Sequence, residues 1–303
     1  MDSKKVDKNL KSSSKGVYFL FLTIIFGTKI LPRKFGYWLA LRFAFLGARR
    51  DKKGFKSVQD NLRYIYEYSG KSISDKEIKK KALEVYRNFG KYLIDYFYFT
   101  PITPRQLKKY VTVAGEDYIK EAVAHDKGTI LLTAHFGNWE IGAGTLTTAG
   151  YPITAVVLEQ QNAQASILLN VMRMKRGMGV VSLGNAGKVI FRKLKEKENI
   201  ALMMDRDYSN KGEKFEFMGK MAYMPSGPAR LAIRTGTPVV FGRMSRQPRD
   251  NFLLDMCPPI YPENHTFESL QREICKTLEK IVLEYPEQWY IFYDFWNEKP
   301  EQY

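Results

Sequence analysis

From residue 111 onward, short apolar runs of strand length alternate with stretches of helical period, and this alternation constrains the chain more than any other feature. Strand-like runs lie at 129–134, 153–158, 200–204 and 238–244. Helical stretches lie at 116–125, 139–148, 161–176, 186–196, 226–234 and 266–284. Parallel strands need a crossover of about a dozen residues or more, usually a helix, so the pattern predicts an α/β fold. Open sheets of this kind bind ligands beyond the carboxyl ends of their strands, and chemistry is to be sought there. Ahead of this region, Ser74 followed by Glu77 forms a capping-box start, and apolar residues recur at Ile78, Ala82, Val85, Phe89, Leu93 and Tyr96. That spacing predicts an amphipathic helix ending at Thr100 and Pro101. No internal repeat or strong linker divides residues 51–303, so they are expected to form one domain. A chain of 303 residues buries enough core to fold without disulfide or metal staples.

The segment before it, residues 1–50, has a different character. The chain carries a net charge of +16, and 11 of its lysines and arginines against two aspartates fall in the first 50 residues. Residues 16–28 run uncharged, but 13 residues are too few to span a bilayer, which takes about 20. Residues 35–48 form a second apolar stretch carrying Arg42 and followed by Arg49, Arg50, Lys52 and Lys53. Aromatics beside cations suit the headgroup layer, so residues 1–50 read as a basic membrane-anchoring segment on an anionic surface. Ile30, Leu31 and Pro32 make a poor signal-cleavage site, which favours retention. The competing reading makes both stretches buried helices of the main domain. Nucleic-acid binding is not expected, because neither an RNA-recognition signature nor zinc-finger spacing is present. A mean hydropathy of -0.35 excludes a polytopic membrane protein. Cys257 and Cys275 lack zinc-knuckle spacing and point to a reducing compartment; with three histidines in the chain, no metal site is expected.

One apolar run, TILLTAHFGNWEIG, ends in His135 with Glu140 five positions later. On one continuous helix those side chains would diverge by about 140°. They converge only if His135 sits on the loop before a helix and Glu140 lies in its first turn, which Gly137 as a bend and Asn138 as a cap permit. His125 and His265 have Ile130 and Leu270 at the same distance, so neither offers such a pair. The alternative is a core histidine satisfied by a neighbouring carboxylate.

AHFGNWE at 134–140, SVQDNLRYIY at 57–66, the FMG turn followed by MPSGPARLA, and PEQWYIFYDFW at 286–296 resemble the bacterial glycolipid acyltransferases. That family includes the late acyltransferases of lipid A synthesis and the phosphatidylinositol mannoside acyltransferases, and the resemblance covers most of the chain. It implies a central mixed sheet flanked by helices, as in glycerophosphate acyltransferases, with amino-terminal amphipathic or hydrophobic membrane-binding helices. It also implies His135 as general base with Glu140 as its partner. The NVMRMKRGMGV segment resembles the family's arginine segment, making Arg173 the preferred oxyanion or phosphate contact, with Arg176 and Asn138 nearby; a solvated helix face is the bland alternative. Asp205, Arg206 and Asp207 resemble the mannoside version more than the lipid A version, and two carboxylates flanking an arginine suit a polyhydroxyl headgroup; a buried ion-pair network competes with that reading.

The expected function is therefore O-acyl transfer from an acyl thioester to a hydroxyl of a membrane glycolipid, at the cytoplasmic face of the inner membrane. Acyl-CoA or acyl carrier protein would be the co-substrate, and no cofactor or metal is called for. A glycerophosphate-type acyltransferase, whose motif ends in aspartate, and a non-catalytic basic membrane-peripheral module are the competitors.

Overall fold

The computed structural model describes residues 23, 25–28, 30–100, 103–158, 163–183, 186–207 and 213–299. Three helices come first: α1 (Arg33–Arg50), α2 (Lys52–Tyr68) and α3 (Asp75–Tyr98). Helix α3 starts at the expected capping box, with the Ser74 side chain accepting from the Glu77 N–H and the Glu77 carboxylate accepting from the Ser74 N–H. There follow α4 (Pro104–Tyr110), β1 (Val111–Ala114), α5 (Glu116–Ala124), β2 (Thr129–Thr133), α6 (Trp139–Thr148), β3 (Ile153–Val157), α7 (Ala163–Lys175) and β4 (Gly179–Ser182). The rest comprises α8 (Ala186–Lys195), β5 (Asn199–Met203), the hairpin β6 (Glu213–Phe217) and β7 (Lys220–Met224), α9 (Gly227–Thr235), β8 (Val239–Arg246), β9 (Phe252–Met256) and α10 (Phe267–Glu284).

The seven-stranded sheet runs β1-β9-β8-β2-β5-β3-β4. All its pairings are parallel except β8 with β9, so the expected mixed α/β sheet is present. Strand β2 lies between β5 and β8, and its first four residues are buried, as a continuous apolar run covered on both faces should be. The sequence pattern does not resolve β1, β4, β9 or the β6–β7 hairpin. The first three are runs of four or five residues, and such runs look alike in strand, loop and helix. The hairpin closes on Met218 and Gly219, both at positive φ (52° and 74°), the conformation of a tight two-residue turn.

Two arrangements position the site. The β2–β5 register sets Thr133 opposite Met203, so the residues just beyond both strands emerge side by side. The carboxyl-terminal segment then clamps the loop after β2. Gly137 N–H donates to the Gln288 carbonyl at 2.8 Å, and Tyr290 N–H donates to the His135 carbonyl at 2.8 Å.

Part of the basic segment 1–50, residues 1–22, 24 and 29, lies outside the described residues. Its second apolar stretch is α1, which packs on α3 through small side chains: Gly90 of α3 lies so close to Ala40 that an added Cβ would sit 3.2 Å from the Ala40 carbonyl. Tyr37, Ala40, Ala44 and Ala48 form the buried face of α1, while Phe35, Trp38, Phe43, Phe45 and Leu46 are exposed. The helix is apolar on both sides, which is why the competing sequence readings could not be separated. One face belongs to the body, as a buried helix would, and the other is exposed among the described residues. Among the described residues, no helix is long and apolar enough to cross a membrane.

Candidate active site

His135 sits on the loop between β2 and α6, as its spacing from Glu140 requires, and Asn138 caps α6 by accepting from the Ile141 N–H at 3.2 Å. Gly137 has φ +57°, and a Cβ there would lie 1.8 Å from the Met244 carbonyl oxygen. The bend therefore admits no side chain.

The carboxylate that meets the imidazole is not Glu140. His135 Nδ1 lies 2.9 Å from Asp205 Oδ1, and the His135 backbone N–H donates to Asp205 Oδ2 at 2.8 Å. Trp289 Nε1 donates to the same Oδ2 at 3.0 Å. Three donors thus fix a carboxylate that is fully buried. Glu140 is instead held by arginines: its Oε1 accepts from Arg173 Nε at 3.0 Å and Nη2 at 2.7 Å, with Arg176 Nη1 at 3.9 Å from Oε2. The expected His135–Glu140 pairing is corrected accordingly. The helix places Glu140 near His135, but two guanidiniums hold its charge, while the strand register delivers Asp205 directly to Nδ1.

The other expected site residues divide. Arg173, Arg206 and Asp207 line the same cavity as His135 and Glu140. Arg173 is braced further by Asn170 Oδ1 at 3.0 Å. Arg206 Nη2 donates to the Tyr290 carbonyl at 2.6 Å, and its positive charge acts on Asp205, which is turned to the imidazole. Arg176 lies behind the cavity wall, its guanidinium 4.3 Å from the centre of the Tyr96 ring and donating to the Tyr96 carbonyl. Asn138 is wholly buried as a helix cap and does not line the cavity. Neither lines the cavity; Arg176 contributes a second positive charge beside Glu140. Sequence reasoning missed Trp289 as a partner of Asp205, although it lies in the PEQWYIFYDFW segment that carries part of the family resemblance.

The cavity has a volume of about 640 Å³ and walls that are mostly apolar: Phe89, Tyr92 and Phe97 from α3, Val156 from β3, Ile190 from α8 and Leu231 from α9. Trp139 stands edge-on to the imidazole at 5.1 Å and stacks on Tyr92 at 4.3 Å. The His135 side chain keeps 19% of its surface open. With Nδ1 engaged, the Nδ1-H tautomer donates to Asp205 and leaves Nε2 as the basic nitrogen. Among the described residues none bonds to Nε2.

Burial, and then the positive charge of Arg206, lower the imidazole's pKa from its ordinary value, against the opposing pull of Asp205. The neutral, proton-accepting form thus predominates at neutral pH. Burial works against ionisation of Asp205 too, but the imidazole, Arg206 and the hydrogen bonds outweigh it and hold the carboxyl below its usual range. The signs follow by linkage. The folded chain binds the His135 proton less tightly than the unfolded chain, so its contribution to stability fades as pH falls below the ordinary imidazole value of about 6.5. The Asp205 contribution persists to lower pH and is lost as that carboxylate protonates. A base-dependent rate should rise along an acidic limb below about pH 6.5 and stay flat through neutrality, which a pH–rate profile checks.

A buried acid–imidazole pair at the carboxyl end of a mixed α/β sheet opens on an apolar cavity with guanidinium groups on its wall, an arrangement able to take a proton from a group bound there. The chain belongs to the bacterial lipid A biosynthesis acyltransferase family, whose model matches residues 3–298. It is similar to the phosphatidylinositol mannoside acyltransferase of Mycolicibacterium smegmatis, 22% identical over 69% of this chain and 70% of that one. The Mycobacterium tuberculosis (strain H37Rv) protein of the same name is 27% identical over 49% of each chain, so this chain spans about half the length of that relative. The lipid A biosynthesis lauroyltransferase of Escherichia coli K12 is 24% identical over 89% of this chain and 88% of that one. Among solved structures, the 1-acyl-sn-glycerophosphate acyltransferase PlsC of Thermotoga maritima superposes with a TM-score of 0.40 at 15% identity, covering 86% of this chain and all of that one. The family and these relatives are acyltransferases.

Proposed function

We propose that this acyltransferase moves a fatty acyl chain from a thioester to a hydroxyl of a membrane glycolipid, with the His135–Asp205 pair as its base. The observation that carries the reading is that pair, opening on an apolar cavity of about 640 Å³ that also holds Arg173 and Arg206. The acceptor hydroxyl gives its proton to His135 Nε2 as its oxygen forms a bond to the thioester carbonyl carbon. Asp205 holds the ring and stabilises the imidazolium. The carbonyl oxygen carries the negative charge of the tetrahedral intermediate, and the cavity's guanidiniums, Arg173 foremost, supply positive charge toward it. The C–S bond then breaks, and the leaving thiolate takes the proton back from Nε2. No serine nucleophile is required. Glu140, in this reading, is a positioning residue that fixes Arg173.

The donor is acyl-CoA or acyl carrier protein, and no cofactor takes part. The chain works at the cytoplasmic face of the inner membrane, with the exposed face of α1 in the headgroup layer. That face sets Phe35, Trp38, Phe45 and Leu46 beside Lys34, Arg42, Arg49 and Arg50, and no acidic residue occurs between Arg33 and Arg50. Aromatic and cationic side chains together suit an anionic interface.

The test is an acylation assay in mixed micelles with each donor and either a mannosylated or lipid A-type glycolipid or glycerol 3-phosphate as acceptor. Transfer to a glycolipid is expected to exceed transfer to glycerol 3-phosphate by roughly tenfold or more. Transfer to glycerol 3-phosphate alone would overturn the acceptor class.

A further inference from the structure

A second recess lies away from the catalytic cavity, between α1, α2 and α3. It is an open groove of about 540 Å³ lined by Phe45, Ala48, Phe55 and Leu83, with Arg49, Lys79, Lys80 and Arg87 completing the lining. It shares no lining residue with the catalytic cavity. Lys79, Lys80, Leu83 and Arg87 come earlier along α3, whereas Phe89, Tyr92, Leu93, Tyr96 and Phe97 on the following turns wall the cavity.

We propose that this groove seats one molecule of an anionic membrane phospholipid, an acyl chain along the apolar floor and the phosphodiester among the four cations. The inference rests on the reading that the exposed face of α1 lies on the membrane. Three observations choose the occupant. Among the described residues, none of the four cations is in an ion pair, whereas nearby Lys81 pairs with Glu84 and Glu287. Phe45 and Arg49 belong both to the groove and to the exposed side of α1, and the Arg49 guanidinium stands 5.0 Å from the Phe45 ring centre, so the groove is continuous with the proposed membrane face. Charge excludes the nearest alternatives: the chain's own opening carries Lys4, Lys5, Lys8 and Lys11, and a second copy would bring the same positive surface. Like charges would meet in both cases, while a phosphodiester is complementary and its acyl chain covers apolar surface.

The test titrates the full-length protein with dihexanoylphosphatidylglycerol below its micelle threshold, with the matching phosphatidylcholine, and with inorganic phosphate, counting bound molecules by native mass spectrometry and affinity by calorimetry. One saturable phosphatidylglycerol site is expected, with phosphatidylcholine and phosphate weaker by roughly tenfold or more. Leu83→Trp, which fills the groove, and the surface pair Lys79→Gln/Lys80→Gln should each weaken it roughly tenfold or more. Trp38→Ala should leave it intact while weakening attachment to phosphatidylglycerol-containing vesicles. Equal binding of the two lipids, or a site that survives the lysine pair, overturns the proposal. Phosphate binding as tightly as the lipid also overturns it, by reducing the site to an anion patch. Acyl transfer to a soluble short-chain acceptor should be unchanged in the lysine pair, so failure of the groove and failure of the proposed reaction are read separately. Monomer binding without vesicle attachment would overturn the membrane placement on which the proposal rests.

Discussion

Asp205→Asn is expected to lower acyl transfer by about 10²–10⁴ and His135→Ala by at least as much, because each removes the base or its correct tautomer. Asp205 Oδ1 accepts from His135 Nδ1 at 2.9 Å and thereby makes Nε2 the basic nitrogen. An asparagine in its place can turn its amide N–H to the ring and reverse the tautomer. It also has fewer acceptor sites for the donors that Asp205 satisfies, the His135 N–H and Trp289 Nε1, so a modest loss of stability of about 1–3 kcal/mol should accompany the loss of rate. The pH profile separates the two candidate carboxylates. Asp205 raises the imidazole's pKa by charge and by hydrogen bond, whereas Glu140 acts by charge alone and is the last of the causes. Asp205→Asn should therefore move the acidic limb to lower pH, while Glu140→Gln should move it much less and act through Arg173. An unchanged rate in Asp205→Asn would remove the pair from the mechanism, and a larger limb shift in Glu140→Gln would return the partner role to Glu140.

The largest expected loss of stability lies elsewhere, in Asp95→Ala. Asp95 on α3 is fully buried, and its two oxygens bind Arg33 Nε at 2.7 Å, the Tyr37 hydroxyl at 2.6 Å and Arg246 Nη2 at 2.6 Å. One carboxylate thus joins α1, α3 and the end of β8. Removing it leaves two buried guanidiniums without it, and breaking a buried pair from one side typically costs about 3–5 kcal/mol. Arg33 keeps the Asp250 carbonyl at 2.9 Å and the aromatic ring of Phe99 at 4.9 Å, and Arg246 keeps Tyr37 at 3.0 Å, so part of the cost is softened. Urea unfolding should register most of that range, and a change under about 1 kcal/mol would show that the network is not a structural hub. The consequence reaches the site. Gln288 bonds both the N–H and the carbonyl of Arg246 at 2.7 and 2.9 Å, and its own carbonyl receives the Gly137 N–H beside the His135 loop. Loosening of this corner should lower activity together with stability.

The local physics of the sequence determined much of this protein. Alternating periods required helices crossing between parallel strands, Ser74 and Glu77 started α3 where their hydrogen bonds dictate, and Gly137 with Asn138 put His135 on a loop before a helix. Such features depend on neighbours a few positions apart, which a sequence displays directly. The AHFGNWE string also carried the family.

Only the tertiary structure decided which acid serves the imidazole. His135 and Asp205 are 70 positions apart, and the β2–β5 register that aligns Thr133 with Met203 brings them together. The nearer acid, Glu140, was the natural choice by spacing, yet Arg173 and Arg176 reach it from the end of α7 and just beyond, some 30 residues later. Likewise, apolar residues fall on every side of α1, and only its packing on α3 separated a face that belongs to the core from one that meets the surroundings. Partner choice among buried charges follows distance in space and desolvation, and neither is encoded in separation along the chain.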